Sequence, residues 1–345
     1  MKLFVTGVDG YIGCLLASLL IERGHEVVGL DTGYYRDGWL YSDPENMRLL
    51  PNTIAKDLRD VEPADLSGCD AVVHLAELSN DPLGENSPDV TFDINHRGSV
   101  RLAKMARSLG IGRFVYTSSC SVYGVGSGEF LDETSEVNPQ TAYAKCKVLV
   151  EEDVGALAGD EFTPTFLRNA TAYGISPRMR FDIVLNNLAG LAWTTKKIAM
   201  ISDGTPWRPL VHALDICEAI SCVLEAPPEA IRSEIFNVGH NKDNYQVREI
   251  AKIVADVFPG CELTFGPSGG DNRSYRVSFD KIHSQLPGFH CHWTARQGAE
   301  QLRALFERID MAAETFDYRA YTRLKQLQYL ISTSQIDDHF YWTRK

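Results

Sequence analysis

The 345-residue sequence has no internal repeat and no low-complexity stretch, which excludes a solenoid or a repeat array. No apolar run reaches the roughly 18 residues that a membrane-spanning helix requires. The opening MKLFVTG reads as a strand rather than a secretory leader. Positive charge is in deficit: 34 Lys and Arg stand against 46 Asp and Glu, a formal charge of -12. That balance argues against nucleic acid or an anionic membrane surface as a partner. The eight cysteines, at 14, 69, 120, 146, 217, 222, 261 and 291, form no Cys-x-x-Cys and no Cys/His spacing suited to zinc. They read as reduced thiols of a cytoplasmic protein with no metal site.

What is present is an alternation of apolar strands and amphipathic helices from the first residue. LFVTG is followed by IGCLLASLLIERG, then HEVVGLD, DAVVHLAE, a helix around Asn95 to Leu109, and RFVYTSS. This order predicts an α/β fold, a doubly wound parallel sheet of the Rossmann type, with a smaller C-terminal substrate-binding lobe. TPTFLRNATAY reads as a further strand. From about Ser176 the pattern loosens into SPRMRFD, SDGTPWRP, APPEA and FGPSGGDNR, rich in Pro, Gly and charge. The helix HALDICEAISCVLEA and the strand EIFNVG should pack back on the first domain. The expected division is therefore 1–175 with returning segments at about 210–240 for the Rossmann domain, 176–209 and 241–304 for the lobe, and 305–345 as a helical tail of no evident role.

Gly7, Gly10 and Gly13, with Tyr11 and Ile12 between them in TGVDGYIG, sit where a strand meets a helix. Glycines there let the backbone and the helix N-terminus approach a pyrophosphate. Asp31 ends the second strand, 18 residues after Gly13, where a carboxylate would hydrogen-bond adenosine ribose hydroxyls. A 2'-phosphate would meet a negative charge, so NAD is expected rather than NADP, although Arg36 nearby keeps NADP open. Asp57 and Leu58 in KDLRD would bracket the adenine or form a plain surface turn. In VVHLAE, Leu75 and Ala76 should lie along the cofactor, and His74 reads as an ordered strand residue rather than a base.

Tyr143 and Lys147 in TAYAKCK stand four residues apart, hence on one helix face, with Ser119 of YTSSCSVYG 24 residues upstream. An ammonium beside a phenol stabilises its anion. Lowering a tyrosine from about 10 by about three units gives a general base at neutral pH, for about 4 kcal/mol of preferential stabilisation. The spacing also occurs at Tyr321/Lys325 and Tyr341/Lys345. Only the first pair follows a strand ending in a Ser/Thr cluster, downstream of a dinucleotide loop.

Taken in order, TGVDGYIG, KDLRD, VVHLAE, the Asn of DINHRGSV, TSSCSVYG, YAKCK, DGTPWRPLVHALD and GGDNRSYRV resemble the extended short-chain dehydrogenase/reductase family, in its nucleotide-sugar epimerase and dehydratase branch. The match covers roughly residues 1–300. The resemblance implies that Ser119 is catalytic, that Tyr143 is the base, that Lys147 assists it and binds the nicotinamide ribose, and that Asn95 organises the active-site helix. It also implies a nucleotide-sugar substrate, with Arg208 and Asn187 on the diphosphate and Asp271 on the ribose. Where the family often has an arginine three residues before that Asp, this chain has Ser268, so Arg273 or Arg276 would have to supply the charge. A homodimer through the helices bearing Asn95 to Leu109 and Tyr143 to Leu157 is implied as well.

Related 4,6-dehydratases carry acidic residues directly after the Ser/Thr; here Cys120 and Ser121 fill those positions. Cys120 could transfer a proton as a thiol or simply end a strand as a small buried residue. Glu77, where the family usually has a small residue, could meet a sugar hydroxyl, face a cation or act structurally; Ser79 and Asn80 would line the same pocket. The leading expectation is an NAD-dependent nucleotide-sugar epimerase, most simply at C4. Alternatives are a ketoreductase or dehydrogenase on a related activated sugar, a 4,6-dehydratase, and a non-catalytic dinucleotide sensor.

Overall fold

The structure is a computed structural model and describes residues 1–42, 49–79, 87–126, 128–268 and 273–343. Seven parallel strands form its centre: β1 (Lys2–Thr6), β2 (Glu26–Asp31), β3 (Asn52–Ala55), β4 (Ala71–His74), β5 (Arg113–Ser119), β6 (Thr163–Asn169) and β7 (Ile235–Val238). Their order is β7-β6-β5-β4-β1-β2-β3. The order reverses between β1 and β4, which opens a crevice at the carboxyl ends of the strands, the usual ligand position in such sheets.

Both faces are covered, so the strands are apolar on both sides. On one face α1 (Gly13–Glu22) packs with α4 (Ala213–Glu225) through Leu16, Leu20, Ile216 and Ile220 over Leu3, Val5 and Val73. On the other, α2 (Ser99–Ser108) and α3 (Ala142–Gly155) bury Val100, Leu102, Val150 and Val154 against Phe4, Val72, Phe114 and Phe166. Thus α4 and β7, late in the sequence, return to the first domain.

Two stretches differ from a plain reading of the sequence. The helix expected from Asn95 starts instead as a π-helical turn over Phe92–Gly98 before α2. This wider turn accompanies the Asn95 side chain, whose Oδ1 accepts from Leu78 N–H at 2.9 Å and whose Nδ2 donates to Leu78 C=O at 3.1 Å; such turns recur at functional sites. TPTFLRNATAY forms two strands, because Ala170 N–H bonds to Val238 C=O and Thr171–Tyr173 then crosses to pair with Leu210–His212 in the lobe.

In the lobe, the three-stranded sheet of Thr171–Tyr173, Trp207–His212 and Asn244–Gln246 packs with helices Val184–Thr194, Val247–Val257 and Ala295–Arg308. The chain then returns to the Rossmann domain. Helix Arg323–Ser332 and the bridge between Ile336 and Trp342 bury Leu327, Leu330, Ile336 and Phe340 against Tyr34, Leu78, Val90 and Ile94. Among the described residues no helix is long and apolar enough to cross a membrane.

Candidate active site

A cleft of about 440 Å³ runs along the carboxyl edge of the sheet. At one end the loop after β1 presents Gly7, Gly10, Tyr11, Ile12 and Gly13. A β-carbon on Gly13 would lie 2.0 Å from the Gly7 carbonyl oxygen, so this turn closes only around glycine. Asp31 lines the same end, its Oδ2 accepting from Asp9 N–H at 3.0 Å and its Oδ1 from Gly33 N–H at 2.8 Å. Each oxygen keeps a further lone pair for a ribose hydroxyl. Burial pushes the Asp31 carboxyl up, opposed by the Gly33 N–H. Asp57, Leu58, Leu75 and Ala76 continue the wall. The Asp57 carboxylate is clamped by Arg59 at 2.9 Å and caps the turn that carries Leu58. This cradle, a glycine turn beside a carboxylate with acceptor lone pairs to spare, fits NAD.

At the other end Thr141 caps α3, accepting from Ala144 N–H at 3.2 Å, and the helix brings Tyr143 and Lys147 to the cleft. Lys147 is buried, with Nζ 5.3 Å from the centre of the Tyr143 ring and 4.6 Å from that of Tyr116. Its Nζ donates to Thr117 C=O and lies 2.6 Å from Glu77 Oε2. Tyr116 O–H donates to Glu77 Oε1 at 2.5 Å. Burial alone would lower the lysine, but Glu77 and Tyr143 together hold it above its ordinary value. One turn further, Glu151 pairs with Arg168 at 2.6 Å and accepts from Ser118 O–H at 2.5 Å, tying α3 to β5 and β6. Ser119, at the end of β5, accepts from Ser121 N–H at 3.1 Å and lines the cleft. Ser121 Oγ and Asn169 Oδ1 are buried, line the cleft and have no hydrogen-bond partner, as polar atoms awaiting a polar ligand would be.

Ser79, Arg208 and Arg273 also line the cleft. Arg208 donates to Trp207 C=O at 2.8 Å and to Arg273 C=O. Four expected contacts lie elsewhere. Cys120 is buried, and its thiol donates to Arg168 C=O at 3.1 Å, away from the cleft; burial also pushes the thiol far up. Asn187 donates to Phe181 C=O at 2.9 Å inside the lobe. Arg276 spends its guanidinium on the Phe130 and Trp207 rings and on Gly128 C=O. Asn95 does not line the cleft but fixes the loop carrying Leu78, so its place is structural support rather than cofactor contact. Asp271 and Asn80 lie outside the described residues. His74 is buried between Thr6 Oγ1 at 2.6 Å and Ser99 Oγ at 2.7 Å, and burial lowers it to about 3, so it is neutral.

Two arginines that the sequence did not single out enter the cleft. Arg180 binds Asp182 at 2.8 Å and reaches Ser79 Oγ at 3.3 Å. Burial pushes Asp182 up, but the Arg180 guanidinium overrides it and holds the carboxyl at about 2. Arg323 arrives from the tail, buried with its guanidinium 3.9 Å over the Tyr35 ring. The only sequence signal was SPRMRFD, an arginine pair in an otherwise loose segment; nothing marked Arg323. Among the described residues no group of His, Cys, Asp and Glu could hold a metal ion.

A glycine-turn dinucleotide cradle sharing one cleft with Ser119, Tyr143 and Lys147 defines a short-chain dehydrogenase/reductase of the extended type, with a lobe over the reactive end. The chain belongs to the NAD dependent epimerase/dehydratase family, whose model matches residues 3–239. It is 30% identical over 302 residues to a UDP-glucose 4-epimerase of Mycolicibacterium smegmatis, covering 83% of this chain and 92% of that protein. It is 29% identical over 272 residues to a UDP-glucose 4-epimerase of Corynebacterium glutamicum, covering 74% and 80%. Its fold is that of the Thermotoga maritima UDP-glucose 4-epimerase solved with UDP-glucose, with a TM-score of 0.77 at 22% identity over 90% of this chain and 100% of that one.

Proposed function

We propose that the protein is an NAD-dependent epimerase of a nucleotide-activated sugar, most simply at C4, acting through a transient keto-sugar. The observation that carries this is the continuity of the cleft: the glycine turn and Asp31, the Ser119/Tyr143/Lys147 set, and Arg208 with Arg273 line one space. Planar guanidinium groups suit a diphosphate. The relatives named UDP-glucose 4-epimerase support the same reading. The two positions after Ser119 hold a buried thiol facing away and a hydroxyl, so no acid stands where a dehydratase would need one.

In this reading Gly7, Gly10 and Gly13 would hold the diphosphate of NAD and Asp31 its adenosine ribose. NAD, when bound, would supply a reversible acceptor for the sugar's hydride. Tyr143 takes the proton of the sugar hydroxyl as the hydride leaves its carbon, and Ser119 hydrogen-bonds the same oxygen. Once the keto-sugar has turned over, Tyr143 would return the proton to the same oxygen, and with hydride regained on the opposite face the sugar would be inverted without net redox. Lys147 favours the phenolate.

The test is incubation of the purified protein with a panel of nucleotide sugars while following nicotinamide absorbance and product identity. An isomeric product with no net reduction supports the proposal. Stoichiometric build-up of reduced cofactor would instead identify a dehydrogenase, and binding with no conversion a sensor. We further propose work in the cytoplasm as a homodimer through α2 and α3. The free cysteines support the first point and the family resemblance supports the second. A monomer by light scattering would overturn the dimer.

A further inference from the structure

Glu77 is a carboxylate in the reactive end of the cleft to which the chemistry above assigns no task. Its side chain is 2% exposed and its two oxygens meet Tyr116 O–H at 2.5 Å and Lys147 Nζ at 2.6 Å, the latter as a charge contact rather than an aligned hydrogen bond. It sits on the loop after β4, while Lys147 and Tyr143 come from α3 and Tyr116 from β5, so one carboxylate ties three elements together at the base. A lone ammonium in a buried site lowers the pKa of a neighbouring phenol; an ammonium paired with a carboxylate presents nearly no net charge and lowers it less.

We propose that Glu77 is a positioning residue that fixes the Lys147 ammonium and, by offsetting its field, sets the pH at which Tyr143 becomes a working base. This rests on the reading of Tyr143 as the base. Among the described residues, the titratable and charged groups surrounding the pair are few. Cys146, Tyr143 and Glu151 face it from α3, Tyr116 from β5, His74 from β4, and Arg180 approaches Tyr143 from the lobe. His74 is neutral, Tyr116 stays protonated as the donor to Glu77, and Glu151 is neutralised by Arg168. Asp182, which also lines the cleft, is paired with Arg180, so among the described residues that leaves Glu77 as the carboxylate able to counter Lys147 at Tyr143.

The experiment is a spectroscopic titration of Tyr143 in the NAD-loaded protein, reading phenolate ultraviolet absorbance with Tyr143→Phe as the blank. Glu77→Gln keeps the shape and an acceptor for Tyr116 but removes the charge. It should move the Tyr143 titration to lower pH by about one unit, a tenfold change in the ionisation constant. Glu77→Asp, which withdraws the carboxylate by one methylene, should fall between it and the parent, and serves as the informative variant if Glu77→Gln does not fold. On any sugar that is turned over, the acid limb of kcat should follow the same shift with KM unchanged. A Tyr143 titration that is unmoved in Glu77→Gln, or moved to higher pH, overturns the proposal. Because the titration needs no sugar, it stands or falls independently of whether epimerisation is found.

Discussion

Gly13→Ala tests the cofactor site at its tightest point. The added β-carbon would lie 2.0 Å from the Gly7 oxygen and 2.9 Å from the carbonyl carbons of Gly7 and Val8, all backbone atoms with no rotamer to relieve the overlap. Ordinary contact begins near 3.4 Å, so the turn must open by more than an ångström or α1 must withdraw. Overpacking of this kind costs about 1–3 kcal/mol of stability. In the proposed reading the displaced N–H groups would also leave the diphosphate; losing two hydrogen bonds to charged oxygens, at about 1.5–3 kcal/mol each, would lower affinity by about two to four orders of magnitude. Gly24→Ala is the control. Gly24 has φ +82° and nothing within 4 Å of an added β-carbon, so it should cost about 1–2 kcal/mol of backbone strain and leave NAD binding intact. Calorimetric titration with NAD, alongside thermal melting, separates the two. A Gly13→Ala protein that binds NAD within a few-fold of the parent, or a Gly24→Ala protein that loses affinity equally, would refute the assignment of this turn to the diphosphate.

Tyr143→Phe should lower kcat by about 10²–10⁴-fold while NAD binding is unchanged, since only a hydroxyl is removed; near-normal turnover would exclude Tyr143 as the base. Asp215, which accepts from the His292 and Trp293 N–H groups at 2.9 and 3.3 Å, is pushed up to about 6 by burial. Its contribution is therefore fullest below its ordinary value of 3.8 and declines as pH rises towards 6. Melting temperature plotted against pH should fall less steeply across that window in Asp215→Asn than in the parent, and parallel curves would contradict this. Leu327→Ala, at a fully buried position of the tail, should cost about 2–5 kcal/mol and speed NAD release in a stopped-flow displacement; a normal melting point with normal release would show that the tail does not brace the cofactor wall.

How much the sequence disclosed follows from the range of the interactions. The glycine turn, Asp31 and the Tyr143/Lys147 spacing are set by local geometry, one turn or one helical repeat, and they line one cleft. Cys120 was ambiguous in sequence because a strand end can aim a small residue either way; packing against Arg168 resolves it. Asn187 and Arg276 carry the right chemistry but are claimed by nearer partners, Phe181 C=O and the Phe130 and Trp207 rings. Arg323 could not be foreseen, since it reaches the cleft only because its helix docks on a surface built some 290 residues earlier, where Gln326 donates to Tyr34 C=O at 2.9 Å, |i−j| = 292. Glu77 was visible as an odd residue, yet its partners on two other elements were not.

That docking has a consequence for how the protein is made. Tyr34 O–H donates to Phe340 C=O, the Trp342 indole N–H to Thr32 C=O at 2.7 Å, and Arg59 to His339 C=O at 2.9 Å while stacking 3.8 Å over Tyr341. The loops after β2 and β3 leave the ribosome early and the residues that cover them leave late. Until the segment around 327–342 has emerged, Tyr34, Leu78 and Ile94 lack the apolar cover of Leu327, Leu330, Ile336 and Phe340. All seven strands of the central sheet precede this segment in the chain, so the sheet can assemble before the wall that the segment completes.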